Sequence, residues 1–421
     1  MWATMSATSP ARIALLAGEA GFALVGLVSA LFGTYLVVLA VAALISRHHE
    51  PEAPGGPPSR RIAVLVPAHN EASVIEACVR SLRSQTYPAD LYDVIVVADN
   101  CTDRTAETAE ASGAHVLVRD DVASRGKGHA LRWAIERVLA AEPPFDAVAV
   151  VDADGEVGRD FLAMLARPLD RGADAVQGES LLSADGSAQS ILRASAFLLV
   201  NRVRPTGRAA LGLPCTLEGT AMLFSRRLLL AHPWDAFTNT EDLEYALHLR
   251  AGGVRPVFVA GAVFSTPVTP AGKAAARQRL RWTGGKLWLA RTWGPRLLAR
   301  AVRERRADLF DTAFELIMPP MTLLAALVGT GTLVAAGAGW AGALSMWAAG
   351  PWLVAAVAVP AYVVIGLRAG HAPRGAYRAL TVAPLFVGTA LLHAPRLASF
   401  RPGAWERPLR SDERAHGTPG D

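Results

Sequence analysis

From 20 to 45 the chain carries no charged side chain, and the stretches 314–339 and 340–367 hold only Glu315. Each exceeds the roughly 20 apolar residues that a helix needs to cross a bilayer. The first run is too long for the core of a cleaved signal peptide, which spans about 7 to 15 residues, so a retained anchor is expected. Between these runs the pattern changes character. Short β-branched runs at 62–67, 93–98 and 146–155 each precede a helix-compatible stretch. That alternation predicts an α/β domain built on a mostly parallel sheet covered on both faces.

The pattern divides the chain into a tail (1–19), an anchor (20–46), a Pro/Gly linker (47–60), an α/β domain (61–295) and a basic interfacial segment (296–313). Two further spans follow at 314–336 and 346–368, then an interfacial or re-entrant helix (377–395) and a tail (396–421). Arginines fix the expected orientation. Arg47, Arg60 and Arg61 follow the first span and Arg296, Arg300, Arg303, Arg305 and Arg306 precede the second, placing the α/β domain in the cytosol at the plasma membrane. A spanning segment at 377–395 would strand Arg396, Arg401, Arg407, Arg410 and Arg414 outside, so an interfacial helix is preferred.

Composition sharpens this only slightly. Of 421 residues, 52% are apolar and 19% charged, against about 25% charged in an ordinary soluble domain. The formal charge of +5 sits largely in arginines beside the apolar spans, which favours lipid headgroups over nucleic acid as the partner. Three cysteines, Cys78, Cys101 and Cys215, have no metal-pair spacing and suit a reducing compartment.

In parallel α/β sheets, ligands bind beyond the carboxyl ends of the strands, and polar residues collect there. Glu71 follows the first run, Asp99 ends the second, and Asp152-Ala153-Asp154 ends the third. Two carboxylates one residue apart can approach a hard cation such as Mg2+ or Mn2+ from one side, with phosphates supplying further oxygens. A solvated turn is the bland reading of the same spacing. Asp99 suits a nucleotide's base or ribose, whereas Thr102 and Asp103 read better as helix caps. Lys127, between Gly126 and Gly128 at a helix start, suits an anion or base contact, but the glycine spacing is not that of a phosphate loop. Thr240-Glu241-Asp242 places acids at another helix start, where a cap would explain one of them. Gln278 shares a helix face with Arg281 and Trp282, a pair able to hold a diphosphate and stack on a ring. An aromatic belt at the membrane surface is the alternative for Trp282, Trp288 and Trp293.

The segments VPAHNE, VVADNCTDRT, RGKGHAL, VDADG, EGTAMLFS, NTEDLEYALHLRAGG and QRLRW, in that order, resemble the family 2 glycosyltransferases, the group containing cellulose, chitin and hyaluronan synthases. The resemblance covers about 61–295 and implies a GT-A fold and inverting transfer from a nucleotide-sugar, a UDP-sugar by expectation. It implies that Glu71, Asp99, Lys127 and Asp152 contact the nucleotide, that Asp154 ligates the metal, and that Asp242 is the general base. Gly219, Thr220, Glu241, Gln278, Arg281 and Trp282 would meet the acceptor or diphosphate. In the tail, Trp405 and Arg407 resemble a gating segment of hyaluronan and chitin synthases, with altered spacing.

The leading expectation is a polysaccharide synthase whose spans form a path for the growing chain, with oligomerisation supplying the helices that a few spans lack. The runner-up is a glycolipid synthase, similar to ceramide glucosyltransferases, adding one sugar to a lipid. A non-catalytic membrane scaffold is the remaining reading. It sits poorly with so full a set of acids.

Overall fold

The computed structural model describes residues 10–46, 58–269, 273–385 and 387–388. Its centre is one sheet of order β3-β2-β1-β4-β7-β6-β8-β5. The strands are β1 (Ile62–Ala68), β2 (Tyr92–Asp99), β3 (His115–Arg119), β4 (Ala147–Val150), β5 (Glu156–Val157), β6 (Ala175–Ser183), β7 (Met222–Ser225) and β8 (Val257–Pro267). β3, β2, β1 and β4 pair in parallel. β7 runs antiparallel between β4 and β6, β8 is parallel to β6, and β5 closes the edge antiparallel on β8. The expected mostly parallel, Rossmann-like architecture is thus present, with a mixed carboxyl-terminal half.

This order positions the site. After β1 the chain builds β2 and β3 on one side and then returns to place β4 on the other, so a crevice opens beyond the carboxyl ends of β1 and β4. Because β7 is antiparallel to β4, with Met222 opposite Val150, the residues just before β7 lie at the same rim as Asp152. β1 is buried along nearly its whole length, with Ile62, Val64 and Val66 facing one apolar layer and Ala63 and Leu65 the other. A strand covered on both faces reads as a continuous apolar run rather than an alternating one.

Among the described residues, three helices are long and apolar enough to span a membrane: Ile13–Ile45, Met321–Trp340 and Met346–Ala369. The first belongs to a helix, Pro10–Ile45, that starts earlier than the expected anchor. Glu19 is tolerated inside it because its carboxylate accepts from the Ser345 amide at 3.0 Å and hydroxyl at 2.9 Å, at the start of the third span. Trp352 packs among all three, meeting the positions of Gly26 and Gly331 and donating to the Phe22 carbonyl at 3.1 Å.

The expected span at 314–336 divides differently. Helix Ala307–Ile317 ends before Pro319 and Pro320, which cannot continue it, and the spanning helix starts at Met321. Glu315 therefore lies outside the span. The boundary expected at 295 falls inside one continuous helix, Lys273–Glu304. Of the segment at 377–395, the described part forms helix Arg374–Ala379 and a 3-10 turn at Leu380–Val382. Trp405, Arg407 and most of the linker lie outside the described residues.

Candidate active site

Six of the singled-out residues meet at the rim of β4. Lys127 is fixed by its flanking glycines. Gly126 caps the helix Lys127–Leu139 with φ at 121°, and a Cβ on Gly128 would lie 2.2 Å from the Ala236 carbonyl oxygen. The lysine so held donates from Nζ to Asp152 Oδ1 at 2.5 Å and to the Gly219 carbonyl at 2.5 Å, with Glu241 Oε1 at 3.8 Å. The Asp152 amide donates to Thr220 Oγ1 at 3.0 Å. Gly219 takes φ of 81°, and a Cβ there would stand 3.1 Å from Asp242 Oδ2 and 3.5 Å from Lys127 Nζ. Lys127, Asp152, Gly219, Thr220, Glu241 and Asp242 therefore form one cluster built from two strand ends and two helix starts.

Its electrostatics are uneven. Burial and the neighbouring Glu241 push the Asp242 carboxyl up to about 7, against the opposing pull of the Leu243 amide and Lys127. Burial opposes the charge on Lys127, yet Asp152, Glu241 and Asp242 outweigh it and hold the ammonium above the ordinary lysine value. Glu218, which was not expected here, is pushed well above the usual carboxyl range by burial and then by Asp242, Glu179 and Glu315. Its signal in the sequence was an acid directly before Gly219.

Asp99 lies two strands away and is anchored differently. It is 6% exposed, and its Oδ1 accepts from Arg119 at 2.5 Å and from Asn100 Nδ2 at 2.9 Å. No local pattern points to the Arg119 partner, which only the pairing of β2 with β3 brings alongside. His69 Nδ1 lies 2.7 Å from the Asp99 carbonyl, tying the end of β1 to that of β2. The Glu71 amide donates to Thr105 Oγ1 at 2.7 Å, so Glu71 stands on the loop between those strand ends and the β4 rim. Asp103 sits one residue before the cap position, which Arg104 holds without a side-chain bond, and its Oδ1 accepts from the Thr105 amide at 3.0 Å.

Asp154 is exposed, and its carbonyl accepts from Thr266 Oγ1 at 2.7 Å, which pins the turn after β4. No group of three His, Cys, Asp or Glu side chains that could cage a metal is present among the described residues. One exposed carboxylate at Asp154 with Asp152 beside it nevertheless fits Mg2+ or Mn2+, which take one or two carboxylates and fill their shell from phosphates and water.

The helix Lys273–Glu304, which leads toward the second and third candidate spans, packs against the site. Gly285 lets it approach Thr240 so closely that a Cβ would lie 2.6 Å from Thr240 Cγ2. Gln278 accepts from Thr269 Oγ1 at 3.1 Å. Arg281 Nε is buried without a hydrogen-bond partner among the described residues, and Trp282 is 41% exposed with its ring 6.3 Å from that of Phe197. A guanidinium and an exposed indole on one turn suit a phosphate and a ring, and this turn lies one helical turn before Gly285, the point of contact with Thr240.

Comparison with known proteins agrees with this architecture. A beta-monoglucosyldiacylglycerol synthase of Nostoc sp. is 30% identical over 248 residues, 57% of this chain and 51% of that protein. A probable glycosyltransferase of Bacillus subtilis is 27% identical over 243 residues, 54% of this chain and 56% of the other. The chain thus spans about half the length of these curated relatives. In fold it is similar to a mannosyltransferase of Pyrobaculum calidifontis solved with GDP-Man and Mn2+, with a TM-score of 0.50 and 22% identity over 84% of this chain and 96% of that one. The model of the family described as glycosyltransferase like family 2 matches residues 57–285, the sheet, its rim of acids and the helix that closes it; the chain is a glycosyltransferase of that family.

Proposed function

We propose that the enzyme transfers one sugar, with inversion, from a nucleotide-sugar, a UDP-sugar by preference, to a lipid acceptor at the cytosolic membrane face. The observation that carries this reading is Asp242. Its carboxylate lies beside Gly219 in the cluster that holds Lys127 and Asp152, on the side closed by the helix leading to the spans. Asp99, Glu71 and the Lys127–Asp152 pair would receive the nucleotide, and Asp154 would hold the divalent metal. Bound there, Mg2+ or Mn2+ would neutralise the leaving diphosphate as a Lewis acid. Asp242 takes the proton from the acceptor hydroxyl as that oxygen attacks the anomeric carbon, a role in which general bases typically supply about 100- to 10,000-fold. Gly219, Thr220 and Glu241 shape the floor under the reacting atoms, and Gln278, Arg281 and Trp282 line the acceptor end.

A lipid acceptor is favoured over a polymer because the three candidate spans among the described residues are few for a polymer channel, and a diacylglycerol-linked glycolipid is the product named for one relative. The QRLRW segment is shared by both classes and does not separate them, and the polysaccharide reading would need several copies of the chain around a path. Incubating membranes with radiolabelled UDP-sugars and sizing the product decides between them. A single glycolipid band supports the proposal, and a ladder of lengths overturns it in favour of the synthase.

A further inference from the structure

On the membrane side of the cluster the protein buries more positive charge than it neutralises. Helix Ala307–Ile317 supplies Asp311 and Glu315, and each meets both Arg208 and Arg250. Arg208 Nη2 lies 2.5 Å from Asp311 Oδ2, and Arg208 Nη1 lies 3.5 Å from Glu315 Oε2. Arg250 Nη2 lies 2.7 Å from Asp311 Oδ2, and its Nη1 lies 2.8 Å from Glu315 Oε2. Two arginines and two carboxylates thus close on themselves. Tyr35 of the first span joins them by accepting from Arg208.

Arg204 and Lys286 are left over. Arg204 is 9% exposed; its Nε donates to the Tyr362 hydroxyl at 3.4 Å, and no carboxylate lies within 4 Å of it among the described residues. Lys286 forms no ion pair within that distance among the described residues either. Burial, and then the charge on Arg204, press its ammonium down to about 8, against the weaker opposing pull of Glu315, whose carboxylate is already engaged by Arg208 and Arg250. Glu218 supplies no ready counter-charge, since burial and the surrounding acids favour its neutral form. Cations withdrawn from water without a partner are costly, and a bound anion removes that cost.

The position of this pair says where the anion comes from. Lys286 follows Gly285, the residue that packs on Thr240 two positions before Asp242. Arg204 lies under Tyr362 of the third span. It opens the helix Arg204–Ala210, whose Gly207 packs against the Leu39 carbonyl of the first span, 2.1 Å from where a Cβ would be. The pair therefore stands between the base and the apolar helices, where the headgroup of an amphiphile would lie with its tails along the spans.

Building on the lipid-acceptor reading, we propose that Arg204 and Lys286 bind the phosphate of the acceptor, which is an anionic phospholipid with a free headgroup hydroxyl rather than a neutral diacylglycerol. The phosphate anchors the headgroup between the two cations, and the hydroxyl reaches Asp242.

The test uses the full chain in phosphatidylcholine nanodiscs doped with labelled phosphatidylglycerol or labelled diacylglycerol. Retained lipid and UDP affinity are measured on the same preparations of wild type, R204Q, K286Q and K286R. Phosphatidylglycerol should be retained over diacylglycerol. R204Q and K286Q should each weaken that retention about tenfold, the scale of one lost charge-assisted hydrogen bond, while K286R restores it and UDP affinity stays constant. Equal retention of phosphatidylglycerol by wild type and both glutamine variants overturns the proposal. A parallel loss of UDP affinity also overturns it, by assigning the pair to the donor's diphosphate. Displacement by glycerol 1-phosphate or inorganic phosphate at the concentration of the lipid overturns the membrane source of the anion. Melting curves accompany each variant; should K286Q fail to fold, R204Q carries the comparison. Failure of the underlying reading looks different, with wild type binding no UDP or transferring sugar to no lipid of either class.

Discussion

Asp242 is the side chain on which the proposed chemistry turns. Asp242→Asn should retain UDP binding and lose transfer by about 100-fold or more, measured as nucleoside diphosphate released against UDP affinity. Its titration predicts the pH profile. A base must be ionised, so turnover should climb as pH rises through about 7 and fall below it. Stability runs the other way. The folded value lies above the ordinary 3.8, so the favourable contribution of the protonated form is present below 3.8 and is lost as pH rises through about 7. Asp242→Asn, which carries no charge, should therefore melt no lower than wild type at pH 8, read by thermal denaturation. At Asp154, replacement by Asn should weaken Mn2+-dependent UDP binding while leaving metal-free binding unchanged, followed by titration with and without the ion.

At the scale of elements, close approach through glycine decides where the site lies. Gly128→Ala forces a methyl against the Ala236 carbonyl, which must move. Overpacking of this kind costs about 1 to 3 kcal/mol, and the displaced helix start carries Lys127 off Asp152. Both a lower melting temperature and weaker UDP binding are expected, from calorimetry and titration on one preparation. Much of this level was legible beforehand. β-branched runs ending in acids gave β1, β2 and β4 and the rim they share, because apolar strands and polar carboxyl ends are local patterns. The antiparallel entry of β7 was not, since a four-residue apolar run carries no direction. The break before Met321 was missed although Pro319 and Pro320 stand in the sequence, because the apolar run continues through them and hydropathy alone ignores the lost backbone donors.

Across the whole molecule, the ionic ring of Arg208, Arg250, Asp311 and Glu315 joins the α/β domain to the helices beyond it. No spacing rule reveals it: Arg208 and Asp311 are 103 positions apart and become neighbours only in the fold. The same holds for Arg119 with Asp99 and for Lys127 with Asp152, whose partners are set by which strands the topology makes adjacent. Asp311→Asn should be strongly destabilising, on the order of 3 to 5 kcal/mol, because it leaves two buried guanidinium groups to share the single carboxylate of Glu315. Denaturant or thermal unfolding of the solubilised chain measures it.

Asp242 and Arg250 occupy opposite ends of one short helix, Glu241–Ala251. A rod of eleven residues with its proposed base at one tip and its counter-ions at the other cannot be cut free without consequence. Excising 58–304 as a soluble fragment would delete Asp311 and Glu315, leaving Arg250 and Arg208 unmatched at the far tip. The aim of the Asp242 carboxylate is thus inherited from the helix that carries Asp311 and Glu315, and a truncated enzyme should be sought only with the segment through Ile317 retained.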